Sequence, residues 1–528
     1  MLERSTTVRF CRWLFSWRGL RRLLILLAWF VTLVALFHGE ETWRGRRAWN
    51  QYRRELEAKG EQLDYAALIP KPVPDDQNFA ATPAIKSWFE KRTTPDLEPK
   101  WDDNYSRVAE RVHPPKVKDA RAERRFEDLV AWETAFAAVR SGELAVDKRF
   151  YSTNLDAAAR GKAAPAVLAG LKTNEALFAE LRLASQRPYS RYPVNYDVGI
   201  PYAIRVPHLK MVRDLCERLQ LKSCAELASD QSEQALEDVK LMFRLVDSVK
   251  EEPFLIFHFV RLACAQLATR PIWEGLAERR WSEPQLQELE TRLQQYNFIA
   301  DMKAPLAAER ATGIALVELV RKKGPWYLNF LGSAEGTPVP TVADLIWSII
   351  VPQGWYDLEE LNYSRGFQIQ LAGTLDTTKQ RVSPTRVKAD AQAFQRMMSA
   401  TGFAGTGLGI ILHHRLTAQR VLPVLEGAVA TSAAAQTAFN QAAIACALER
   451  YRLANGHFPD ALAALAPRFI SSLPSDVLTG EPYKYHLTDD GRFVLYSVGW
   501  DEKDDGGVSG KRLFDEEHGD WVWEYPAK

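Results

Sequence analysis

Three aspartates stand close together near the C-terminal end of the sequence, in the run W-D-E-K-D-D-G-G. They are Asp501, Asp504 and Asp505, and two glycines follow them directly. Carboxylates crowded into a tight loop that ends in glycine suit calcium, which accepts about six to eight oxygen ligands in a flexible geometry. The spacing differs from that of an EF-hand loop. The same residues also suit a solvated acidic turn that closes a sheet, so two interpretations stay open.

Familiar catalytic motifs are absent from the sequence, which contains no H-E-x-x-H, G-x-S-x-G or C-x-x-C run. The pair His413-His414 is a poor chelate, because adjacent side chains on a helix point about 100° apart. The segment from Thr401 to Gly409 is rich in glycine but lacks the G-K-[ST] ending of a phosphate-binding loop. The sequence therefore predicts no catalytic residue and no cofactor other than calcium.

A helix and a short helical turn are predicted to lead the chain toward the acidic loop. The run A-A-I-A-C-A-L-E-R-Y-R-L-A-N-G keeps helical apolar spacing, and Asn455-Gly456 supplies a helix stop that tolerates the left-handed conformation. Beyond it, Leu462, Leu465 and Phe469 indicate a second, shorter helical turn. A long Ala-rich helix from Val421 to Leu453 is expected to carry the chain to this point.

A small antiparallel sheet is predicted to hold the loop itself. The runs from Tyr483 to Leu487 and from Arg492 to Val498 are strand-like, and Asp489-Asp490-Gly491 between them predicts a β-hairpin. The alternating W-V-W-E-Y run within residues 520–525 predicts a last strand at the edge of this sheet.

The order of these features resembles the C-terminal globular part of the major pseudopilin of type II secretion systems. The matching runs are Y-R-L-A-N-G-H-F-P, L-P-S-D-V-L-T-G-E-P-Y-K-Y and Y-S-V-G-W-D-E-K-D-D-G-G, and they lie between Ala442 and Pro526. In that family the end of a long helix packs on a small antiparallel sheet, and an acidic loop holds a calcium ion. The sequence departs from the family at its other end, where no G-F-T-L-x-E run occurs.

The resemblance implies a ligand set for calcium. Asp501, Asp504 and Asp505 are the acidic positions that match the family's loop, and backbone carbonyl groups near Leu495 or Ser497 would add further oxygen ligands. It also implies partners, because a pseudopilin works as a component of a secretion or pilus-like machine.

An apolar run near the N-terminus predicts a transmembrane helix. The run extends from Leu23 to Phe37, and Leu20 and His38 lengthen it toward the minimum that spans a membrane. Because arginines dominate the preceding residues, the positive-inside rule predicts a cytoplasmic N-terminus and a periplasmic body at a bacterial inner membrane. A cleaved signal peptide is the alternative, and the lack of an A-x-A site favours an uncleaved anchor. The preceding arginines are Arg4, Arg9, Arg12, Arg18, Arg21 and Arg22.

Composition and periodicity predict a mainly α protein. The 528 residues are 46% hydrophobic and 26% charged, as in globular proteins, and the net charge of +1 argues against nucleic-acid binding. The predicted fold is a helical bundle or irregular array of α-hairpins, with one transmembrane helix and a small C-terminal α+β module like that of a pseudopilin. The predicted divisions are a basic cytoplasmic segment (1–22), an anchor (20–38), a juxtamembrane helix and linker (39–84), a helical domain (85–323), an irregular or helical region (324–420) and the long helix with the α+β module (421–528).

These features together predict a non-enzymatic, membrane-anchored envelope protein that acts as a scaffold or interaction module. Its expected partners are the membrane and other envelope proteins, with no nucleic acid. Two alternatives stay open. One is an accessory component of a type II secretion or pilus-like system, and the other is an envelope hydrolase with a cleft between the helical body and the C-terminal module.

Overall fold

The computed structural model describes most of the chain, and within the described residues the fold is mainly helical with small antiparallel sheets. This confirms the mainly α class, with a small antiparallel sheet near the C-terminus, that the sequence predicts. His413, the segment 401–409 and the residues before Ser16 lie outside the described part. The described residues are 16–90, 101, 103–112, 126–143, 149–152, 156–197, 204–324, 342, 346–347, 350–371, 374–376, 379–399, 414–422 and 425–524.

The first helix, α1 (Trp17–Ala58), is 42 residues long and continues well beyond the predicted membrane segment. At about 1.5 Å per residue its length is about 63 Å. It contains an apolar stretch that is long enough to cross a membrane, and none of that stretch is buried against the rest of the protein. The predicted N-terminal helix is therefore present, and it is long and apolar enough to span a membrane.

Helices of the body follow α1 and pack as neighbours along the chain. Ser282 and Gln285 form a capping box at the start of the helix Glu283–Leu293. The helices are α2 (Pro83–Ser87), α3 (Asn104–Val108), α4 (Leu129–Ser141), α5 (Ala157–Leu171), α6 (Glu175–Ala184), α7 (Pro207–Ala228), α8 (Ser232–Ser248), α9 (Leu255–Ala277), α10 (Glu283–Leu293), α11 (Phe298–Asp301) and α12 (Lys303–Lys323).

The region 324–420, predicted to be irregular or helical, contains two substantial helices among its described residues. They are α13 (Gln353–Ile369) and α14 (Pro384–Ser399), and the short strands β1 (Leu375–Asp376) and β2 (Arg381–Val382) pair between them. Helix α13 packs along both α1 and α12. This region therefore connects α1 with the body.

A long Ala-rich helix crosses the centre of the molecule. The short helix α15 (Leu416–Val421) precedes it, and α16 (Glu426–Asn455) begins later than the predicted start at Val421. Gly456 ends α16 in the left-handed conformation with φ of 84°, as predicted. Nearly all side chains of α16 up to Arg450 are buried, because α9, α10 and α11 cover it on several sides. Alanine suits this position, since a small side chain lets neighbouring helices approach closely.

The C-terminal sheet has three antiparallel strands in the order β3 (Lys484–Leu487), β4 (Phe493–Ser497) and β5 (Trp521–Trp523). The predicted hairpin and the predicted edge position of the last strand are both confirmed. All three side chains of β5 are buried, however, although an alternating run predicts one exposed face. The reason is that helices cover this strand: the side-chain amide of Gln441 on α16 donates to the carbonyl oxygen of Trp521 at 2.6 Å.

One hydrophobic core joins the helical body to the C-terminal sheet. It extends from Phe79 near the start of the body through α7, α8, α9 and α16 to Trp523 on β5. The short helical turn predicted after α16 is present as Leu462–Leu465, and both leucines that bound it are buried. The sheet is thus held in place by the same packing that stabilises the helices.

Candidate functional site

The acidic loop leaves β4 after Ser497 and returns to the sheet at β5. Asp501 in this loop is half-buried, whereas Asp504 and Asp505 are exposed. Gly507 has a φ of 86° and sits against the side chains of β4, where an added Cβ would lie 2.7 Å from a methyl group of Val494. Glycine is therefore required at this position for both conformation and space.

The carboxylates of Asp501 and Asp504 make separate local hydrogen bonds. Asp501 accepts from the backbone N–H of Lys503 at 3.2 Å. Asp504 accepts from the N–H of Gly506 at 3.1 Å and from the hydroxyl group of Tyr496 at 3.0 Å, and these bonds lower the pKa of its carboxyl group. Its second oxygen lies 3.5 Å from the ammonium group of Lys484 on β3.

Asp520, directly before β5, holds the backbone of the acidic loop through hydrogen bonds. It is not among the residues that the sequence predicts for this site. Its buried carboxylate accepts from the backbone N–H of Gly507 at 2.6 Å and from that of Asp505 at 3.3 Å. Burial raises the pKa of Asp520, while the two backbone donors act in the opposite direction. The only sequence signal was an aspartate directly before the W-V-W strand.

Asp501, Asp504 and Asp505 lie on one loop, but their carboxylates do not converge on a common position for an ion. Among the described residues, no group of three or more histidines, cysteines, aspartates and glutamates is arranged to hold a metal ion. Leu495 and Ser497, near which the resemblance places carbonyl ligands, lie within β4 and pair with β5. Calcium binding by this loop therefore stays a prediction.

A second feature of functional interest is the contact between α1 and the body. Beyond its apolar stretch, α1 packs along α13, and the two backbones meet at Gly45 and Gly354. A Cβ on Gly45 would lie 2.8 Å from the Cα of Gly354 and closer still to its carbonyl oxygen. Farther along both helices, the guanidinium group of Arg365 lies 5.5 Å from the ring centre of Tyr52, so α1 and α13 run in the same direction.

This contact begins close to the end of the apolar stretch. Glu41 is buried there and accepts a hydrogen bond from the indole N–H of Trp355 at 2.9 Å. Glu41 follows Phe37, the end of the predicted apolar run, by about 6 Å along the helix axis. The body therefore starts directly at the end of the segment that can span a membrane, with no linker between them.

Three carboxyl groups share one arginine where α12 packs against α13. The guanidinium group of Arg321 lies 3.2 Å from Glu318, 3.2 Å from Asp357 and 3.7 Å from Glu360. Burial raises the pKa of Glu360 to about 9, and the neighbouring carboxyl group of Glu318 adds to the effect. Burial likewise raises the pKa of Asp357. The single positive charge of Arg321 is thus shared by three carboxyl groups, which favours protonation of Glu360, the most buried of the three.

The predicted calcium loop and the contact between α1 and α13 thus lie in different parts of the chain. No known protein family, curated protein or solved structure matches this sequence, so the resemblance to the pseudopilin family is carried by the quoted sequence motifs alone.

Proposed function

We propose that this protein is a single-pass, membrane-anchored scaffold of the bacterial envelope. Its body stands at the periplasmic face of the inner membrane, and its C-terminal sheet is a pseudopilin-like module whose acidic loop takes up calcium. The observation that carries the proposal is the continuity of α1 from the apolar stretch into the contact between Gly45 and Gly354.

This continuity supports a positioning role. A body on a flexible linker samples many orientations, whereas a helix that leaves the bilayer and packs at once against the body fixes one. Small residues at a helix contact allow backbone approach and so make the packing specific. A protein built in this way presents its sheet at a set height and angle, which is what a scaffold requires.

The topology is tested with one introduced cysteine. Asp489→Cys places a thiol in the exposed turn between β3 and β4, while Cys216, Cys224, Cys264 and Cys446 are buried. In a chain that also carries Cys11→Ser, we expect a membrane-impermeant maleimide to label this thiol in intact spheroplasts.

The unmodified chain serves as the control for this experiment. Its Cys11 precedes the anchor, so we expect that chain to be labelled only after lysis. Labelling of Asp489→Cys only after lysis would place the body in the cytoplasm and overturn the proposed compartment.

We also expect calcium to raise the melting temperature of the full chain in nanodiscs. Asp501, Asp504 and Asp505 would supply carboxylate ligands, and an ion bound only by the folded state stabilises it by mass action. At free calcium about a hundred times the Kd, the stabilisation is about 2.7 kcal/mol. Thermal melting with calcium and with chelator measures the shift.

Single changes to alanine at each of these three aspartates are expected to abolish the shift. Asp489→Ala is the matched control, because it removes an exposed carboxylate from another turn of the same sheet. Superimposed melting curves with calcium and with chelator would show that the loop is a solvated acidic turn without an ion.

A further inference from the structure

A cleft of about 560 Å³ lies between the helical body and the residues that precede β5. Its size is within the range of small-molecule sites. One arginine enters from each of three elements: Arg213 from α7, Arg270 from α9 and Arg512 from the loop before β5. We refer to it as the arginine cleft. Among the described residues that line it, none is acidic and none is a histidine.

Two exposed arginines that line the cleft, Arg213 and Arg512, offer donors to a ligand. Arg213 has an exposed side chain and binds Glu217, one turn farther along α7, through its Nε atom at 3.1 Å. A guanidinium group has five N–H donors, so this bond occupies only part of Arg213. Glu217 itself does not line the cleft. The side chain of Arg512, from the loop before β5, is also exposed.

Aromatic side chains form the apolar part of the cleft. Trp273 is buried, and its indole N–H donates to the carbonyl oxygen of Glu524 at 2.6 Å, which fixes the orientation of the ring. Phe514 packs edge-on against Trp521 with ring centres 5.4 Å apart. Of these rings, that of Phe514 is only half-buried, and with the edge of Trp273 it offers a surface for an aromatic or aliphatic group beside the guanidinium groups.

The composition of the lining distinguishes binding from hydrolysis. A hydrolase between the body and the C-terminal module needs converging carboxylates or histidines to move protons. The described lining residues instead offer arginines, which stay charged and do not exchange protons near neutral pH, and amides such as those of Gln220 and Gln266. This chemistry recognises a negative charge without transforming its carrier.

We propose that the arginine cleft binds a small anion that carries an apolar group. The head, a carboxylate, sulfonate or phosphate, pairs with Arg213, Arg270 and Arg512, since guanidinium groups match such heads in bidentate geometry. The apolar group lies against Trp273 and Phe514. This ligand site goes beyond the scaffold function and does not depend on it.

The test measures binding to the full chain in nanodiscs of uncharged phosphatidylcholine. Isothermal titration compares 2-naphthaleneacetate with its neutral analogue 2-naphthaleneacetamide and with inorganic phosphate. We expect the acetate to bind at least about tenfold more tightly than the amide, because only the acetate forms charge-assisted hydrogen bonds. Phosphate alone is expected to bind more weakly than the acetate and to compete with it.

Two exposed arginines supply variants that keep the fold. Arg213→Gln and Arg512→Gln are each expected to weaken acetate binding about tenfold and to leave amide binding unchanged. The matched control is Arg53→Gln on α1, since Arg53 is similarly exposed and has an i+4 glutamate partner, Glu57, at 2.7 Å. The control is expected to bind like the original chain.

Several results would overturn the proposal. Equal affinities for acetate and amide would leave an apolar cavity without anion recognition. Unchanged acetate binding in the double variant Arg213→Gln/Arg512→Gln would place the anion elsewhere, as would an equal loss in Arg53→Gln. If neither 2-naphthaleneacetate nor phosphate binds at millimolar concentration, the cleft is not an anion site. Each of these outcomes leaves the membrane topology and calcium tests unaffected.

Discussion

Gly354→Ala is expected to separate the body from α1 and to lower the melting temperature of the protein. A methyl group on residue 354 would lie 2.6 Å from the Cα of Thr42 and closer still to the carbonyl oxygen of Glu41. Both obstacles are backbone atoms, so no side-chain rotation relieves the clash. Overpacking of this kind typically costs about 1–3 kcal/mol, and occasionally more. Gly45→Ala is expected to act in the same way from the opposite helix.

Two measurements distinguish loss of this contact from general unfolding. Thermal melting in nanodiscs reports the loss of stability, and hydrogen exchange of the α1 segment beyond Glu41 reports the loss of packing. Gly39→Ala is the matched control on the same helix, because a methyl group added there would meet no atom within 4 Å. Alanine there should be neutral or stabilise by up to about 1 kcal/mol. Identical behaviour of all three variants would show that α1 and α13 do not pack closely.

The second large effect concerns the pH dependence of stability. Because the pKa of Glu360 is raised from 4.5 to about 9, this group favours the folded state when it is protonated. Its contribution is full below about pH 4.5 and is lost as the pH rises toward 9. Each pKa unit corresponds to about 1.4 kcal/mol. We therefore expect the melting temperature to fall over this pH interval.

Glu360→Gln is expected to remove much of this fall. Glutamine resembles the protonated acid and does not ionise, so the variant and the original chain should melt alike near pH 4.5. By pH 9 the variant should be more stable by a few kcal/mol, because the effective desolvation penalty of a buried ion is several kcal/mol and the shared Arg321 offsets only part of it. Arg321 remains paired with Glu318 and Asp357 in the variant.

The control for the pH series is Glu57→Gln, at an exposed position of α1. Its melting temperatures should run parallel to those of the original chain, since exposed ion pairs contribute little. If Glu360→Gln also runs parallel at every pH, Glu360 does not bind its proton more tightly in the folded state.

Features governed by neighbouring residues could be predicted from the sequence. The helix stop at Gly456, the capping box of Ser282 and Gln285, and the hairpin between β3 and β4 all depend on residues a few positions apart. The membrane helix depends on a continuous apolar run. In each case the cause of the structure lies within the segment itself, so a local pattern records it.

Features governed by distant residues left no such pattern. Arg160 is fully buried and pairs with Glu274 and Glu278 from another part of the chain, which periodicity cannot indicate. The contact between Gly45 and Gly354 likewise needs two helices that are far apart in sequence.

The candidate sites show the same division between local and distant causes. The three aspartates of the acidic loop are close together in sequence and were identified, whereas Asp520, which orders the loop backbone, was not. No sequence pattern indicates the arginine cleft, because its three arginines come from separate elements.

The unbroken course of α1 has a mechanical consequence. In the proposed membrane-anchored arrangement α1 would tilt in the bilayer, since transmembrane helices are tilted by about 20° on average. Because α1 continues into its contact with α13, such a tilt would turn the body as well. Over the roughly 30 Å of α1 outside the bilayer, this corresponds to a sideways swing of about 10 Å. In that arrangement the tilt of α1 would set the position of the C-terminal sheet.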